Sequence, residues 1–243
     1  MKNAADPAAR TEAMPLTPTW ATAVQGLSPT QLHDIACRMR SMAFSRGADL
    51  ITESSRNPNL FVVRKGRLKT VFVDASGRER VRSVLGPGAL IGIATNLTEL
   101  PAAFTLRAMS AVSADAIART DFIDCMRRIP AFAVNVAVLI AAMYHARLVA
   151  DKVLDDSAPI RLGKVLADLA TRPGWSSNGQ LVTISGVTHQ DLAAMVGVSR
   201  SWVTQMLASF EAGGVLACGR SEIHIPDLGR LARYVRRLEQ GAD

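Results

Sequence analysis

The stretch VTHQDLAAMVGVSRSWVTQMLASFEAGG, at positions 187–214, constrains the fold of this 243-residue chain most strongly. Its apolar residues follow helical spacing in two blocks, separated by Gly197, where a positive φ costs glycine little. Thr188 and Asp191 form the pattern Thr-x-x-Asp, which is close to a capping box, and Ser199 is placed to cap the second block. The stretch therefore predicts two short helices around a tight turn.

The two predicted helices share an inward side that is small or apolar throughout. Its members are Leu192, Ala193, Val196, Val198, Val203, Met206 and Leu207. The polar positions at the start of the second helix must then point away from the core, and they are Arg200, Ser201, Thr204 and Gln205. Such side chains suit hydrogen bonds to base edges and phosphates. A solvated polar face is the alternative, but the following run GVLACGRSEIHIPD predicts a β-hairpin wing and favours DNA binding.

A second region, from about position 46 to 120, changes to the period of strands and turns. Its clearest hairpin pairs RLKTVFV with RERVRSVL around the turn DASG. Leu68, Thr70 and Phe72 share one face of the first strand. Glycine turns recur at short intervals through the region, which predicts a small β-barrel or jelly roll.

Helices flank this region on both sides. The segment LSPTQLHDIACRMRSMAF has helical spacing as far as Met39, with Ser28 placed as its cap. After Pro130, a long helix at 131–156 is predicted whose first four turns are apolar nearly all round, which is typical of a helix buried on two sides. One heptad stripe on it could pack against the same helix of a second subunit: Val136, Leu139, Met143, Ala146, Ala150 and Val153. An ordinary core helix explains the same pattern equally well.

Charge and cysteine usage narrow the class of protein. The net charge of +7 suits a polyanionic partner, yet positions 157–243 carry nine basic residues against seven acidic ones, so net charge alone is weak support for DNA binding. The three cysteines are far apart, with no CxxC pair or Cys/His cluster, which gives no support to a zinc or iron–sulfur site. P-loop, GxSxG and HExxH patterns are missing, so we do not expect an enzyme.

The sequence also lacks the signals of a membrane or secreted protein. No apolar run approaches the roughly 18–20 residues that span a bilayer. Positions 1–25 lack the apolar segment of a secretory signal and are expected to form a disordered leader. We therefore expect a cytoplasmic protein.

Four segments occur in the order found in the cyclic-AMP receptor protein / FNR superfamily of transcription regulators, which the chain resembles over about residues 26–237. They are GLSPTQLHDIA, LFVVRKGRLKTVFVDASGRERVRSVLGPGALIG, RLGKVLADLA and VTHQDLAAMVGVSRSWVTQMLASFEAGGVL. The resemblance implies an α+β fold with a jelly-roll-like β-roll of the cyclic-nucleotide-binding type at 26–130. A dimerisation helix at 131–156 and a winged helix-turn-helix at 157–243 would follow. It also implies a homodimer on a roughly palindromic operator, with RNA polymerase as a further partner.

The resemblance assigns individual DNA contacts as well. Base-reading positions are occupied by Arg200, Ser201, Thr204 and Gln205, and backbone-contact positions by Thr188, His189, Gln190 and Ser199. Arg200 keeps the family's arginine, which suits guanine O6 and N7. Ser201 stands where many members have glutamate, and Gln205 where they often have arginine. Because glutamine prefers adenine, we expect a half-site that departs from the usual TGTGA core.

The cassette that binds cyclic nucleotides in relatives is degenerate here. In those relatives, a glutamate after a glycine meets the ribose, and an arginine followed by Ser or Thr clamps the phosphate. In this chain Gly92 is followed by Ile93, while Ala102 and Ala103 take the places of the arginine and the hydroxyl. Arg107 is nearby, but its counterpart in relatives is not the phosphate clamp. Since a buried phosphate needs a charge partner and several donors, cyclic AMP in the usual mode is not expected.

Several modes of control stay open. A haem sensor needs an axial ligand, but His145 falls off the heptad stripe, and the other histidines show no ligand spacing with it, so we predict no cofactor. The alternatives are a cyclic AMP-, cyclic di-GMP- or haem/gas-responsive regulator, an unassigned apolar effector, and control by abundance. A ligand-sensing protein-interaction module without DNA binding is an alternative of another class.

The basic residues around the hairpin are expected to form a solvated face, with a polymerase contact or an anionic ligand as alternatives. They are Arg64, Lys65, Arg67, Lys69, Arg78, Arg80 and Arg82.

Overall fold

The computed structural model describes residues 19–73, 79–152, 156–171, 176–178 and 181–240. Its N-terminal part is a β-roll followed by a long helix, and its C-terminal part is a smaller domain of helices and short strands. This confirms the α+β class and the order of units expected from the sequence.

The β-roll consists of two antiparallel sheets with an apolar core between them. Its strands are β1 Met39–Phe44, β2 Asp49–Ile51, β3 Asn59–Lys65, β4 Leu68–Val73, β5 Glu79–Leu85, β6 Leu90–Ile91, β7 Thr105–Ala108 and β8 Val112–Ala118. One sheet has the order β1-β8-β3-β6, and the other has the order β2-β7-β4-β5. Phe61, Leu68 and Leu106 are among the buried residues that fill the space between the sheets.

Strand β3 explains why the run NLFVV is apolar without alternation. Leu60 and Val62 pack in a cluster with the helices of the N-terminal part. Phe61 and Val63 pack in the core between the two sheets. Because side chains alternate across a strand, β3 is buried on both faces and needs apolar residues at every position.

Strand β4 departs from the predicted alternation. Leu68 and Thr70 are buried as expected, but the pairing with β5 shifts register between Thr70 and Val71. The extra residue of this bulge is Arg82, on β5. Val71 is also buried, and Phe72 is only half-buried, so burial does not alternate along β4 beyond Thr70. The predicted turn DASG lies outside the described residues.

Five helices accompany the roll in the described part of the chain: α1 Trp20–Ala23, α2 Pro29–Ala36, α3 Ile93–Thr98, α4 Arg119–Arg128 and α5 Pro130–Lys152. Helix α1 corrects the expectation of a disordered leader for residues 19–25, because the Trp20 ring meets Phe132 edge-on at 6.2 Å and Ala23 is buried. Ser28 caps α2 as predicted, and the structure adds a reciprocal bond from Gln31 that completes a capping box. The helix ends at Ala36, however, and Met39 already belongs to β1.

Helix α5 corrects the predicted heptad stripe. Val136 and Leu139 are buried in the protomer's own core with Phe122 and Phe132, so they are not available to a second subunit. Met143 is 39 % exposed. The side chains of Ala146 and Ala150, and Val153 altogether, lie outside the described residues. The side of the helix that the protomer leaves uncovered carries Val134, Ala137, Val138, Ala141 and Tyr144.

The C-terminal domain has its own core and one short sheet. Its elements are α6 Ala158–Thr171, β9 Ser176–Asn178, β10 Leu181–Ser185, α7 His189–Val196, α8 Arg200–Ala212, β11 Ala217–Gly219, β12 Glu222–Ile225 and α9 Leu228–Glu239. The sheet has the order β11-β12-β10-β9, and β11 with β12 forms the predicted wing. Val84 of β5 packs into this domain's core, and Met109 packs against it, so the roll and the C-terminal domain are in contact.

Among the described residues, no single helix is long and apolar enough to cross a membrane. Helix α4 and the first part of α5 are long and apolar enough only when taken together, and they are bent by 113° at the break between them.

Candidate nucleic-acid interface

The first turn of α7 is fixed by a closed set of hydrogen bonds. The Thr188 hydroxyl oxygen accepts from the Asp191 backbone N–H at 3.1 Å, and Asp191 Oδ2 accepts from the Thr188 N–H at 3.1 Å. The Thr188 hydroxyl also lies 2.7 Å from Asp191 Oδ2, to which it donates. This is the capping box that the sequence predicted. It holds Thr188 and Gln190, both exposed, at the outer end of the helix.

The turn between α7 and α8 is equally well determined by local sequence. Gly197 has a φ of 80°, and its N–H bonds the Ala193 carbonyl at 2.9 Å. Ser199 Oγ then accepts from the Trp202 N–H at 3.2 Å and starts α8. Ala193 and Val203, one on each helix, are buried, so the small and apolar residues hold the pair together as expected.

The predicted reading residues share the outward side of α8. Arg200, Ser201, Thr204 and Gln205 are all exposed and lie in its first two turns. Thr204 Oγ1 donates to the Arg200 carbonyl at 3.1 Å and lies 2.8 Å from His189 Nδ1. His189 is thereby joined to the reading helix, and the Thr204 hydroxyl is already engaged within the protein. Ser201 Oγ is engaged as well, 3.0 Å from Ser199 Oγ, whereas Arg200 and Gln205 are exposed.

The wing carries a cationic residue, Arg220, that is not among the DNA contacts predicted from the sequence. Arg220 lies exposed in the turn between β11 and β12, next to Ser221, whose φ of 63° makes the turn tight. The Cys218 N–H donates to Glu211 Oε1 at 3.0 Å, which ties the wing to α8. The Gly-Arg pair at the predicted hairpin turn is the sequence signal for this residue, since an exposed arginine suits contact with backbone phosphates.

Comparisons with known proteins match both parts of the chain. The cyclic nucleotide-binding domain family matches residues 41–129, and the Crp-like helix-turn-helix domain family matches residues 160–234. Together these matches cover about two thirds of the chain. This chain belongs to the Crp/Fnr superfamily of transcription regulators.

Characterised relatives of this Crp/Fnr chain are similar over most of their length. The CRP-like cAMP-activated global transcriptional regulator of Mycobacterium tuberculosis is 27 % identical over 215 residues, which is 87 % of this chain and 95 % of the relative. The cyclic AMP receptor protein of Thermus thermophilus is 26 % identical over 207 residues, with 85 % and 93 % of the two chains covered.

Solved structures support the same fold. FixK2 from Bradyrhizobium japonicum superposes with a TM-score of 0.70 at 15 % identity, covering 80 % of this chain and 96 % of that one. The Thermus thermophilus catabolite activator protein gives a TM-score of 0.51 at 24 % identity, covering 91 % and 100 %. At these identities the likeness concerns architecture.

The four positions that correspond to the effector cassette of relatives carry only glycine, isoleucine and alanine in this chain. Gly92, with a φ of 93°, precedes α3, and Ile93 is buried. Ala102 is only 5 % exposed and belongs to the core between the two sheets, with its N–H bonded to the Ser55 carbonyl. Ala103 is exposed. The structure therefore places no charged side chain at any of these four positions.

Arg107 does not compensate for the missing clamp, because two carboxylates already hold it. Its Nε donates to Asp49 Oδ1 at 2.8 Å, and its Nη1 donates to Glu79 Oε1 at 2.9 Å. These bonds raise the pKa of Arg107 well above its ordinary value, so the guanidinium stays charged and paired. A phosphate would have to displace both partners.

The histidines and cysteines are dispersed. His33 lies on α2 with its Nε2 3.3 Å from Cys37 Sγ, and His145 is exposed on the uncovered side of α5. Within the part of the chain that the structure describes, no group of three or more His, Cys, Asp or Glu side chains could hold a metal ion.

Proposed function

We propose that this Crp/Fnr regulator acts in the cytoplasm as a homodimer that reads a roughly palindromic operator, with no enzymatic activity of its own. The observation that carries the proposal is the set of exposed polar side chains at the start of α8. A capped α7 and a glycine turn present this set in the way a recognition helix needs. RNA polymerase is the partner through which such a regulator would act on transcription.

The reading residues determine the expected operator. Arg200 suits bidentate contact with a guanine, and Gln205 suits an adenine, while Ser201 can accept or donate at either. Thr188 and Gln190 at the exposed end of α7 are assigned to phosphate contacts, with His189 and Ser199 as the residues that hold this surface in place. The expected half-site keeps one guanine and departs from the TGTGA core at other positions.

Selection of binding sites from a random DNA pool tests this proposal. The purified protein should enrich an inverted repeat with half-sites about 10–10.5 bp apart, centre to centre. Its affinity for the selected DNA should fall steeply with salt, because phosphate contacts release counterions. Recovery of an unaltered TGTGA core would contradict the assignment of Ser201 and Gln205. A pool that shows no enrichment would contradict sequence-specific binding.

We propose further that cyclic AMP in the usual mode does not control this protein. The support is the apolar burial of Ile93 and Ala102 and the double pairing of Arg107, which leave a cyclic phosphate without its usual clamp. Isothermal titration with cyclic AMP, cyclic GMP and cyclic di-GMP should give no tight binding for cyclic AMP. Micromolar or tighter binding of cyclic AMP would overturn this part of the proposal.

A further inference from the structure

One cation of the basic hairpin, which the sequence places on a solvated face, is only partly exposed and reaches the DNA-binding domain. Lys69 Nζ on β4 lies 3.3 Å from Asp191 Oδ1 on α7, although the two residues are 122 positions apart in the chain. The Lys69 side chain is 25 % exposed and that of Asp191 is 9 % exposed. Opposite Lys69 on the neighbouring strand is Val84, which packs into the core of the DNA-binding domain. The roll therefore supplies both an apolar and a charged contact to α7.

Asp191 occupies a sensitive position for DNA binding. Its carboxylate caps the turn that begins at Thr188, and Gln190 precedes it in the chain, so the assigned phosphate contacts surround it. A buried carboxylate without a counter-ion would repel the DNA backbone and would be poorly solvated. Lys69 neutralises one of its oxygens while the other oxygen stays bonded to Thr188.

We infer that Lys69 is a positioning residue for DNA binding, which acts through Asp191. It neutralises the carboxylate at the phosphate-facing turn and holds that turn against the roll. From the same turn, His189 contacts Thr204 on α8, so the position of Lys69 is connected to the reading helix by direct contacts. The inference rests on the proposed function, because it concerns how the helix-turn-helix meets DNA.

Substitution of Lys69 with a matched control tests the inference. Lys69→Met should lower the affinity for the selected operator by about tenfold, since removing the cation leaves the buried Asp191 carboxylate uncompensated. The loss should be the same for all operator variants, because no base contact changes. Lys65→Met removes the same charge from an exposed site on β3, a strand of the other sheet, and should change the affinity far less. Lys69→Arg, which keeps a cation, should retain most of the affinity.

The route through Asp191 is tested by a double-mutant cycle. Asp191→Asn keeps an oxygen for the helix cap but removes the charge, so adding Lys69→Met to it should cost little further affinity. An equal loss in both backgrounds would overturn the route through Asp191. Equal losses of affinity for Lys65→Met and Lys69→Met would overturn the inference by showing that only the total positive charge matters. A gain of affinity in Lys69→Met would overturn it by showing that the contact inhibits DNA binding. Failure of the wild-type protein to select an operator would instead count against the proposed function.

Discussion

The Asp191 carboxylate contacts one residue close to it in the chain and one far from it: Oδ2 accepts from the Thr188 N–H, and Oδ1 lies 3.3 Å from Lys69 Nζ. The Thr188–Asp191 box, the positive φ of Gly197 and the Ser199 cap all follow from neighbours within a few positions, and the structure confirms each of them. The contact between Lys69 and Asp191 joins residues 122 positions apart, so no local pattern could reveal it. The same limit applies to Arg107, whose partner Asp49 lies on another strand.

Ala102 is the position at which an arginine would be needed to restore the phosphate clamp of relatives. Because Ala102 is buried among apolar side chains, Ala102→Arg should lower the free energy of unfolding by about 2–4 kcal/mol, the cost of an unpaired buried charge. It should confer no binding of cyclic AMP. Denaturant unfolding and calorimetric titration measure the two effects, with Ala103→Arg at the exposed neighbour as the control that leaves stability unchanged. A stable Ala102→Arg variant that binds cyclic AMP would show that the pocket had only lost its clamp.

Arg200 and Arg220 should differ in what they contribute to DNA binding. Arg200→Ala is expected to cost about 1–3 kcal/mol of binding free energy and to relax the preference at one base position. Arg220→Ala at the wing tip should instead weaken binding uniformly across sequences and reduce the salt slope by about 1. Quantitative binding to a panel of single-base operator variants at several salt concentrations separates the two. A uniform loss for Arg200→Ala would remove it from the base-reading set.

At the scale of elements, prediction succeeded where the hydrophobic pattern was one-sided. Helix α8 has polar residues on one side and buried ones on the other, and its orientation was predicted correctly. Helix α5 is apolar nearly all round, so the spacing of its apolar residues does not show which side of the helix packs within its own protomer. Part of the covered side of α5 is determined by α1, which packs against it. The Trp20 ring contacts Phe132, and Asn135 Nδ2 lies 3.0 Å from the Ala23 carbonyl. The sequence alone predicts a disordered leader for the α1 segment.

The crossing of α6 and α9 leaves no room for a side chain at Gly163. A β-carbon there would lie 2.3 Å from Val235 Cγ2, closer than two carbon atoms can approach. Gly163→Ala should therefore reduce the stability of the DNA-binding domain by about 1–3 kcal/mol, despite the better helix propensity of alanine. Combining it with Val235→Ala should restore part of this loss, because the clashing methyl group is removed. Thermal unfolding measures both, and a Gly163→Ala variant as stable as the wild type would contradict the close packing.

At the scale of the whole molecule, the exposed side of α5 is the feature that the protomer alone does not explain. Val134, Val138 and Tyr144 are 61 %, 47 % and 66 % exposed, and they recur at the spacing of a heptad stripe with Ala137 and Ala141. A contiguous apolar surface of this kind marks a protein–protein contact. Assembly about a two-fold axis through α5 would bury it and would place two copies of α8 on one operator.

This arrangement predicts opposite outcomes for two substitutions on α5. Val138→Asp, on the exposed stripe, should leave the fold intact but give a monomer by light scattering at micromolar concentration. Operator affinity should then fall at least about a hundredfold, because the two half-sites are no longer bound by one linked pair of domains. Val136→Ala, on the originally predicted stripe, should lower the free energy of unfolding by about 1–3 kcal/mol while the protein remains dimeric, since Val136 packs within its own protomer. Leu100→Asp, at an exposed leucine outside α5, controls for the added charge. A dimeric Val138→Asp variant would show that the subunits meet elsewhere.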